Sequence, residues 1–450
     1  MSQGTALAGW GGTSPSVASL VPAPDDEALA ELVAAAPPRG VAVRGLARSY
    51  GDAAQNGGGL VVDMTGRDRI LSVDVRTATV EVEAGVSLDR LMRLLLPLGL
   101  FVPVSPGTRL VTVGGAIAAD IHGKNHHVDG SFGCHVLAMD LLVADGSVRR
   151  LTPQDTPDLF WATVGGMGLT GIVLRAVLRM KPVGSAYCLV DTERASDLDD
   201  LLERMASGDH RYDYSVAWID CLTRGAAMGR SVLTRGWFAG VDDLPPRRRA
   251  RALDFGPRSL GTAPAVFPNG LLNRATVAAF NEVWFRKAPR ERRGQLQGVA
   301  AFFHPLDGVQ RWNRVYGTAG FLQYQFVVPF GAEEPLRRCL GRLSESGQAS
   351  FLAVLKRFGP GSPGHLSFPT PGWTLALDLP AGRAGLGELL DDLDTEVLAA
   401  GGRLYLAKDS RATARTVAQM YPRLHEWQQV RRSVDPGGVF TTDLARRLHL

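Results

Sequence analysis

A stretch of small residues that ends in a histidine and a lysine is the part of this chain best suited to chemistry. Residues 107–124 combine two adjacent glycines, Gly114 and Gly115, with small apolar side chains, and His122 and Lys124 follow directly. A backbone with so little side-chain bulk can lie against a large flat ligand, because glycine permits close approach. The imidazole and ammonium groups would then face the part of that ligand that reacts.

A second candidate is the loop 44–52, which follows a predicted strand and carries glycines, two arginines, a serine and a tyrosine. Backbone N–H groups in such a turn form a concave site for phosphate oxygens, and guanidinium groups add charge-assisted hydrogen bonds. The alternative is an ordinary turn decorated with arginines, and the loop by itself does not decide between the two.

Two more sets of polar residues lie in the second half of the chain. Tyr405 and Lys408 are three residues apart at the predicted end of a strand, and Gln323 and Gln325 share one face of another strand. Only five of the 49 basic residues are lysines, so a compact ammonium is a selective choice in this chain. With Lys356 on a neighbouring strand, the glutamines predict recognition of a polyhydroxylated or phosphorylated ligand, and a solvated sheet face is the alternative.

Other patterns are less specific. The G-x-G-x-x-G sequence at 166–171 follows a predicted helix and precedes a strand, the reverse of the dinucleotide-binding order, so it predicts a packing turn. His122, His126 and His127 lack the carboxylate partners and helical spacing of a metal site, and no metal is predicted. The four cysteines are scattered and are predicted to be free thiols.

The elements that position these residues must come from more than one core, because 450 residues exceed an ordinary single domain. The formal charge of +4 is too small to favour nucleic acid as a partner. The sequence has no apolar run that would span a membrane and no basic residue before Arg39, so neither a transmembrane helix nor a signal peptide is predicted. We expect a cytoplasmic protein, with a peripheral position at the inner membrane, or at its periplasmic and cell-envelope face, left open.

Hydrophobic periodicity predicts the secondary structure. Before a domain boundary near residue 185, the predicted strands cover 41–43, 60–64, 70–75, 79–83, 139–144, 148–151 and 172–180, and the predicted helices cover 25–36, 88–98 and 158–163. After it, the predicted strands cover 212–219, 321–328, 351–357 and 373–379, and the predicted helices cover 195–206, 332–346 and 384–400. Segment 240–320, rich in Arg, Pro and Gly, predicts long loops, and 403–450 predicts short strands and helices.

Together these residues resemble the flavin oxidoreductases of the vanillyl-alcohol oxidase and p-cresol methylhydroxylase superfamily. The resemblance is carried by 80–86, 106–108, 112–117 with His122 and Gly123, 144–146 and 158–162. It implies an α+β, two-domain fold: a PCMH-type FAD-binding domain of two α+β subdomains, and a substrate domain with an antiparallel sheet flanked by helices. Residues 1–185 are expected to form the FAD domain, 186–402 the substrate domain, and 403–450 a segment that completes the FAD domain.

Nearly the whole chain resembles one branch of this superfamily, through 48–59, 120–127, 321–326 and 402–411. This implies an FAD-dependent enzyme that oxidises the 2′-hydroxyl of decaprenylphosphoryl-β-D-ribose, the first half of an epimerisation that supplies arabinose for actinobacterial cell-wall arabinan. A polyprenyl-phosphate sugar substrate, a peripheral membrane surface and a separate NAD(P)H-dependent keto-sugar reductase are the implied partners. A soluble alditol or sugar-lactone oxidase and a non-catalytic polyprenyl-phosphate binding protein are the alternatives.

The resemblance also assigns residues to roles. The residues expected to contact FAD are Val43, Arg44, Gly45, Leu46, Ala47, Arg48, Ser49, Tyr50, Gly51, Asp52, Ala53, Gly107, Thr112, Val113, Gly114, Gly115, Ala119, Asp120, Ile121, His122, Val173 and Tyr405. The residues expected to contact substrate are Lys124, Trp218, Phe303, Gln323, Gln325, Lys356, Thr374, Ala376 and Lys408. Lys408, His122 and Tyr50 are expected to act beside the reacting carbon, Lys408 either as an ammonium that stabilises negative charge or as a base.

Two departures from the resembled proteins matter. Many members of the superfamily hold FAD covalently through a histidine in the first phosphate loop, but loop 44–52 has none, so the FAD is predicted to be non-covalent. The mycobacterial form of the branch carries Asn and Cys where this chain has Thr374 and Ala376. Inhibitors that capture that thiol are therefore expected to find no covalent target in this segment.

Overall fold

A computed structural model describes residues 4–257 and 259–450 of the chain. It contains a four-stranded, a five-stranded and an eight-stranded sheet, and one isolated two-stranded pair. The strands are β1 (Thr5–Leu7), β2 (Ser16–Pro22), β3 (Val41–Arg44), β4 (Leu60–Asp63), β5 (Ile70–Asp74), β6 (Thr79–Glu83), β7 (Leu100–Phe101), β8 (Val136–Leu142), β9 (Val148–Leu151), β10 (Ile172–Arg179), β11 (Lys181–Pro182), β12 (Tyr187–Ala195), β13 (Tyr214–Ile219), β14 (Ser231–Phe238), β15 (Glu291–Gly298), β16 (Phe321–Pro329), β17 (Ala353–Phe358), β18 (Gly372–Pro380) and β19 (Arg403–Leu404).

Helices cover these sheets and join their strands. They are α1 (Asp26–Ala34), α2 (Leu88–Leu95), α3 (Val113–Ala118), α4 (His126–Asp129), α5 (Pro157–Thr163), α6 (Leu198–Gly208), α7 (Pro246–Arg249), α8 (Arg274–Lys287), α9 (Val299–Phe303), α10 (Glu333–Ser346), α11 (Leu386–Ala399), α12 (Ala414–Met420), α13 (Leu424–Val434) and α14 (Asp443–Leu448). No helix among the described residues is long and apolar enough to cross a bilayer.

The four-stranded sheet has the order β1-β2-β4-β3, and β2, β4 and β3 run parallel. Strands β2 and β3 lie on either side of β4, and α1 supplies the crossover that parallel strands need between them. The Asp25 carboxylate caps α1 by accepting a hydrogen bond from the Ala28 N–H at 3.0 Å. Leu29 and Val33 on the buried face of α1 pack on Val62 of β4, and this packing fixes the start of the loop that follows β3.

The five-stranded sheet is antiparallel, in the order β5-β6-β10-β8-β9. Alternation along β6 buries Val80 and Val82, as the period of two requires. Ser87 caps α2, which places Leu88, Leu91 and Leu95 in the same core. This sheet supports the small-residue helix α3, because α3 packs on β10.

The eight-stranded sheet has the order β15-β12-β14-β13-β17-β18-β16-β19 and is antiparallel throughout. Gln323 lies opposite Asp378, and Gln325 lies opposite Ala376, so these side chains share one face of the sheet. Tyr324 points to the other face, where its hydroxyl donates to Asp394 of α11 at 2.9 Å. One face of the sheet is thus covered by helices, and the other presents polar side chains to the rest of the chain.

The C-terminal segment packs back on the first part of the chain. The Trp427 indole donates to the Ala162 carbonyl of α5 at 2.9 Å, and Phe440 forms a parallel bridge with Val41 of β3. Arg447 pairs with Asp52 and with Asp409, each at 2.8 Å. These contacts are compatible with the predicted three-part division, although β19 lies in the eight-stranded sheet, and the division at residues 185 and 402 stays a prediction.

The α+β fold class is confirmed, and most predicted elements lie within one to three residues of the observed ones. The prediction of long loops over 240–320 is wrong, since this segment holds α8, β15 and α9. Strand β15 is not predicted because its sequence lacks an apolar alternation. It is an edge strand, paired with β12. Helix α8 buries only Val277 and Asn281, so its apolar stripe is too narrow to show in the sequence.

Candidate functional site

A cavity of about 920 Å³ lies where loop 43–54, the segment 105–124 and the polar face of the eight-stranded sheet meet. Ligand sites in proteins span roughly 300–1,000 Å³, so this one has room for a large ligand or for two ligands side by side. The small-residue stretch 107–124 forms part of its wall, through Gly107, Gly115 and Gly123.

The cavity wall is strongly basic. Six lysine and arginine side chains line it, and no aspartate or glutamate of the described residues does. Those six residues form no ion pair within the described chain, whereas Lys181, outside the cavity, pairs with Asp129 and Asp213 at 3.2 Å. Two of the six, Lys287 and Arg292, are exposed, but the other four are partly buried. Enclosed cations without a counterion are costly, so this part of the cavity is suited to anionic ligands. The six are Arg48, Lys124, Lys287, Arg292, Lys356 and Lys408.

The loop after β3 forms one end of the cavity and has free hydrogen-bond donors. The backbone N–H groups of residues 46–49 donate to no atom of the described residues, although Tyr50 N–H donates to the Ala407 carbonyl at 3.0 Å. A Cβ atom at Gly45 would lie 2.3 Å from the Thr112 hydroxyl, so only glycine lets the loop approach α3 this closely. This combination of unpaired N–H groups and a glycine-dependent approach fits a phosphate-bearing cofactor.

The two arginines of this loop have different surroundings. The Arg48 guanidinium lies over the Trp10 ring, 3.8 Å from its centroid, and lines the cavity. Arg44 instead donates to the Ala8 and Ala54 carbonyls, at 2.7 and 2.9 Å. Arg48 is therefore the arginine that can meet a ligand, and Arg44 holds the loop to the N-terminal segment.

A chain of hydrogen bonds fixes His122 at the centre of the cavity wall. The Gln325 amide donates to the imidazole Nε2 at 2.9 Å and to the Thr374 hydroxyl at 3.1 Å, and Thr374 donates to the Phe326 carbonyl. Burial lowers the pKa of His122 well below its ordinary value, and nearby Lys356 lowers that pKa further, so the imidazole is neutral. Because both amide hydrogens of Gln325 are used inside the protein, its amide oxygen is left as an acceptor.

Lys408 and Tyr50 lie together in another part of the wall, near enough to His122 for the Lys408 charge to lower the pKa of that imidazole. The Lys408 ammonium lies 3.8 Å from the centroid of the Tyr50 ring. Burial lowers the pKa of Lys408. Burial also raises the pKa of Tyr50 well above its ordinary value, so the phenol keeps its proton. Gln323, next to this pair, donates its amide to Asp378. The site thus holds a tunable amine, a neutral phenol and an oriented amide.

Two further lysines face the cavity from α4's preceding turn and from β17. Burial lowers the pKa of Lys124 to about 8, and burial together with the charge of Lys124 lowers that of Lys356 to about 7. Lys124 donates to the Phe302 carbonyl and lies over the Phe302 ring. Lys124 and Lys356 are two cations that repel each other, and no carboxylate of the described residues pairs with either. A bound anion would therefore be stabilised beside them.

Most of the residues predicted from the sequence come together around this cavity. Those expected to bind the cofactor and found in the wall are Val43, Gly45, Leu46, Ala47, Arg48, Ser49, Tyr50, Ala53, Gly107, Thr112, Gly115, Ala119, Ile121, His122 and Tyr405. Those expected to bind substrate and found there are Lys124, Trp218, Phe303, Gln323, Gln325, Lys356, Ala376 and Lys408. Their individual roles stay predictions.

Eight predicted residues lie outside the wall, and several of them make structural contacts instead. Asp120 is fully buried and accepts hydrogen bonds from Ser131, Gly133 and Ser362, which joins three segments behind the cavity. A Cβ atom at Gly51 would lie 2.1 Å from the Asp409 carbonyl, so Gly51 permits backbone contact with the C-terminal segment. The eight are Arg44, Gly51, Asp52, Val113, Gly114, Asp120, Val173 and Thr374.

The far end of the cavity is not predicted from the sequence. Phe280, Trp284 and Lys287 of α8, and Arg292 and Gln295 of β15, line it there. The only local signal was the cluster of aromatic and basic residues over 284–293, which lies in the segment predicted to be a loop. His126 and His127 are directed away from the ligand site: His126 accepts from the Gly359 N–H, and His127 contacts the Tyr212 carbonyl.

Comparison with known protein families places two parts of the chain. A family described as FAD binding domain matches residues 18–152, and one described as D-arabinono-1,4-lactone oxidase matches residues 387–448. The first covers the phosphate-type loop and α3, and the second covers the segment that carries Tyr405 and Lys408.

Three similar proteins extend over most of the chain. The chain is 52% identical to decaprenylphosphoryl-beta-D-ribose oxidase of Mycolicibacterium smegmatis over 99% of its own length and 97% of the relative. It is 46% identical to an uncharacterized protein of Streptomyces coelicolor over 81% of its own length and 100% of the relative. It is 26% identical to L-gulono-1,4-lactone dehydrogenase of Mycobacterium tuberculosis over 98% of both chains.

Proposed function

Since the chain belongs to the decaprenylphosphoryl-β-D-ribose oxidase family, we propose that it oxidises the 2′-hydroxyl of this lipid-linked sugar to a ketone. FAD is its cofactor, and the chain is an FAD-dependent oxidoreductase of the two-domain α+β type. The observation that supports an anionic substrate is the cavity wall, which has six cationic side chains and no carboxylate among the described residues. The predicted absence of a covalent bond to FAD stays part of the proposal.

The cavity has more positive charge than the cofactor alone requires. The free N–H groups of residues 46–49 and the Arg48 guanidinium are placed to receive the FAD pyrophosphate. Lys124 and Lys356 lie elsewhere in the wall, beside Trp218 and Phe303. They are available for a second anion, and the phosphate that joins the sugar to its prenyl chain supplies one.

The reacting end of the substrate is assigned to the part of the wall that holds Lys408. Oxidation of a secondary alcohol removes a hydride from carbon and a proton from oxygen, and bound FAD supplies the acceptor for the hydride. Lys408 is placed to stabilise negative charge on the sugar oxygen as an ammonium, or to take the proton as an amine. The amides of Gln323 and Gln325 orient the ribose hydroxyls, and the neutral imidazole of His122 positions Gln325.

Two other functions use the same scaffold. A soluble alditol or sugar-lactone oxidase agrees with the match over residues 387–448 and with the gulonolactone dehydrogenase relative. An uncharged sugar or lactone, however, gives Lys124 and Lys356 no counterion. A non-catalytic polyprenyl-phosphate binding protein would not need Lys408 beside Tyr50.

Anaerobic mixing tests the proposed activity. We expect the flavin absorbance of the purified holoenzyme to bleach with a prenylphosphoryl ribose, and not with xylitol or gulonolactone at the same concentration. Bleaching by the uncharged compounds alone would favour the alditol or lactone oxidase. A protein that binds the prenylphosphoryl sugar without any bleaching would be a carrier.

The polyprenyl chain requires a route to lipid, and the far end of the cavity provides one. Val283 is 65% exposed and Trp284 is 45% exposed on α8, although Trp284 also lines the cavity. Lys287, Arg290 and Arg292 lie beside them, exposed and without an ion pair in the described residues. We call these five residues the α8–β15 surface. Apolar side chains ringed by unpaired cations suit an anionic membrane, which supports peripheral binding there.

A second basic segment, residues 247–251, is less suited to lipid. Arg248 of α7 lies over the Tyr187 ring, and Arg249 donates to the Leu244 and Asp242 carbonyls. Residues 247–251 also do not line the cavity. The α8–β15 surface is therefore the assigned membrane contact.

Vesicle flotation measures this contact. Replacing Lys287, Arg290 and Arg292 together by glutamine should weaken binding to phosphatidylglycerol-containing vesicles by about 100-fold, since each basic residue contributes about 1 kcal/mol near an anionic surface. Replacing Arg90, Arg93 and Arg149 by glutamine removes the same charge elsewhere and should have little effect. Equal flotation of the wild type with purely zwitterionic vesicles would contradict the charge-based contact.

The product also implies a partner. A 2′-keto sugar held on a lipid carrier becomes the epimer only when a hydride is returned to the other face of the ketone. An NAD(P)H-dependent keto-sugar reductase at the same membrane surface is the enzyme class that this step requires. The proposed role is thus the first half of an epimerisation, on either face of the membrane.

A further inference from the structure

A buried carboxyl lies directly behind the wall at the Lys408 end of the cavity. Asp378 of β18 is 0% exposed and shares the polar face of the sheet with Gln323 and Gln325. Its Oδ1 atom accepts the Gln323 amide, while its Oδ2 atom has no hydrogen-bond partner among the described residues. A fully buried carboxylate oxygen without a partner is unusual, because such groups are nearly always satisfied.

The groups around Asp378 come from five parts of the chain. Gln323 contacts it from β16, and Ser350 accepts its backbone N–H at 3.1 Å from the turn before β17. Tyr50 of the loop after β3 and Tyr316 of the 312–316 helical turn are the acidic hydroxyls that its charge influences. From the C-terminal segment, Lys408 acts through its charge: Asp378 raises the pKa of Lys408, and Lys408 lowers the pKa of Asp378.

This arrangement separates Asp378 from every other acid. The wall of the cavity holds no carboxylate among the described residues. Asp378, behind the wall, is the carboxyl group whose negative charge raises the pKa of Lys408. Burial raises the pKa of Asp378 and lowers that of Lys408, and the positive charge of Lys356 lowers the pKa of Lys408 further. Two ionisable groups that interact in this way titrate as a pair.

We propose that Asp378 is a positioning residue of the oxidation that acts through the charge of its carboxylate, which decides whether Lys408 carries a proton. The inference rests on the proposed function only in that Lys408 faces the reacting hydroxyl. In that step the C–H and O–H bonds at C2′ break and the C=O bond forms. The hydride goes to oxidised FAD, and the hydroxyl proton goes to the Lys408 amine or, with Lys408 already charged, to solvent.

The direction of the effect follows from charge alone. An ionised Asp378 favours the ammonium form of Lys408, so removal of the carboxylate must lower the pKa of Lys408. A nearby opposite charge typically shifts a pKa by about one to three units. Asparagine keeps an oxygen that accepts the Gln323 amide and removes only the charge, which makes Asp378→Asn the informative change.

Trace acetylation of the holoenzyme without substrate measures the proton on Lys408 directly. Acetic anhydride reacts with the free amine, and mass spectrometry of the Lys408 peptide as a function of pH gives the midpoint of its titration. We expect the midpoint in Asp378→Asn to lie at least about one pH unit below that of the wild type, and Asp378→Glu to restore it in part. At a pH one unit below the wild-type midpoint, the free amine would rise from about a tenth to about half of the molecules, so the variant should be labelled about five-fold faster.

A matched control separates charge from burial. Asp394 is also buried, and burial raises its pKa to about 7, but it lies on the opposite face of the sheet against Tyr324. Asp394→Asn should leave the Lys408 midpoint unchanged. Retained flavin absorbance and a cooperative thermal transition identify the folded variants, and Asp378→Ser, which also removes the charge, carries the test if Asp378→Asn does not fold.

The pH profile of flavin reduction by substrate provides the second measurement. The limb that reports Lys408 should move to lower pH in Asp378→Asn, by the same amount as the acetylation midpoint. An unchanged acetylation midpoint in folded Asp378→Asn would overturn the inference. Because acetylation needs no substrate, that result is distinct from a failure of the proposed substrate, which would leave the midpoint shift in place while no prenylphosphoryl sugar bleached the flavin.

Discussion

Replacing Lys408 by alanine should lower turnover by ~10²–10³-fold or more while the purified protein stays yellow. An electrostatic donor aimed at developing charge typically contributes this much, because it acts inside a site that excludes water. Lys408 lies over the Tyr50 ring, and no carboxylate of the described residues forms an ion pair with it, so its amine is free to act on a substrate. FAD should be retained, since the loop 46–49 that offers free N–H groups is intact in this variant.

The kinetic signature of this variant is a fall in kcat with little change in KM. An interaction made mainly in the transition state lowers kcat and kcat/KM together. Lys181→Ala is the matched control, because that lysine pairs with Asp129 and Asp213 away from the cavity and should leave turnover unchanged. Near-normal turnover of Lys408→Ala would remove Lys408 from the reacting end of the site.

Replacing Lys356 by methionine should raise KM by at least about 30-fold while kcat changes little. Loss of one partner from an enclosed charge pair costs about 2–5 kcal/mol, and each 1.4 kcal/mol is roughly tenfold in affinity. Methionine keeps the length and apolar character of the side chain, so the change isolates the charge. Lys356 has no ion pair among the described residues, so the substrate phosphate is its expected counterion.

A substrate analogue without phosphate supplies the control for this variant. The wild type and Lys356→Met should bind a prenyl riboside that lacks phosphate equally weakly, because the missing interaction is the same in both. A KM increase that is equally large for the uncharged analogue would show that Lys356 shapes the pocket and does not recognise the phosphate.

The same lysine gives the wild type a distinctive pH dependence. Burial and Lys124 hold the pKa of Lys356 at about 7, so its ammonium form is complete below that pH and is lost as the pH rises. The phosphodiester of the substrate keeps one negative charge throughout this range. The wild-type KM should therefore rise as the pH increases through about 7, and the slope should be smaller in Lys356→Met. A KM that falls over this range would contradict the assignment.

Local features of the sequence determined the first half of this protein. Alternation placed β6 and β10, the Ser87 and Asp25 caps placed α2 and α1, and the small residues around Gly115 marked the wall of the cavity. Such features depend on neighbours within a few residues, through backbone freedom, side-chain size and the period of each element. They can be read directly from the chain.

The convergence of the site was decided only by the tertiary structure. The register between β16 and β18 sets Gln323 against Asp378, and nothing in either strand's own sequence specifies that pair. The α8–β15 end of the cavity is invisible in the sequence, because an edge strand and a half-exposed helix have no regular apolar pattern. The perturbed pKa values of Lys356 and Lys408 arise from burial, which is the sum of contacts from segments hundreds of residues apart.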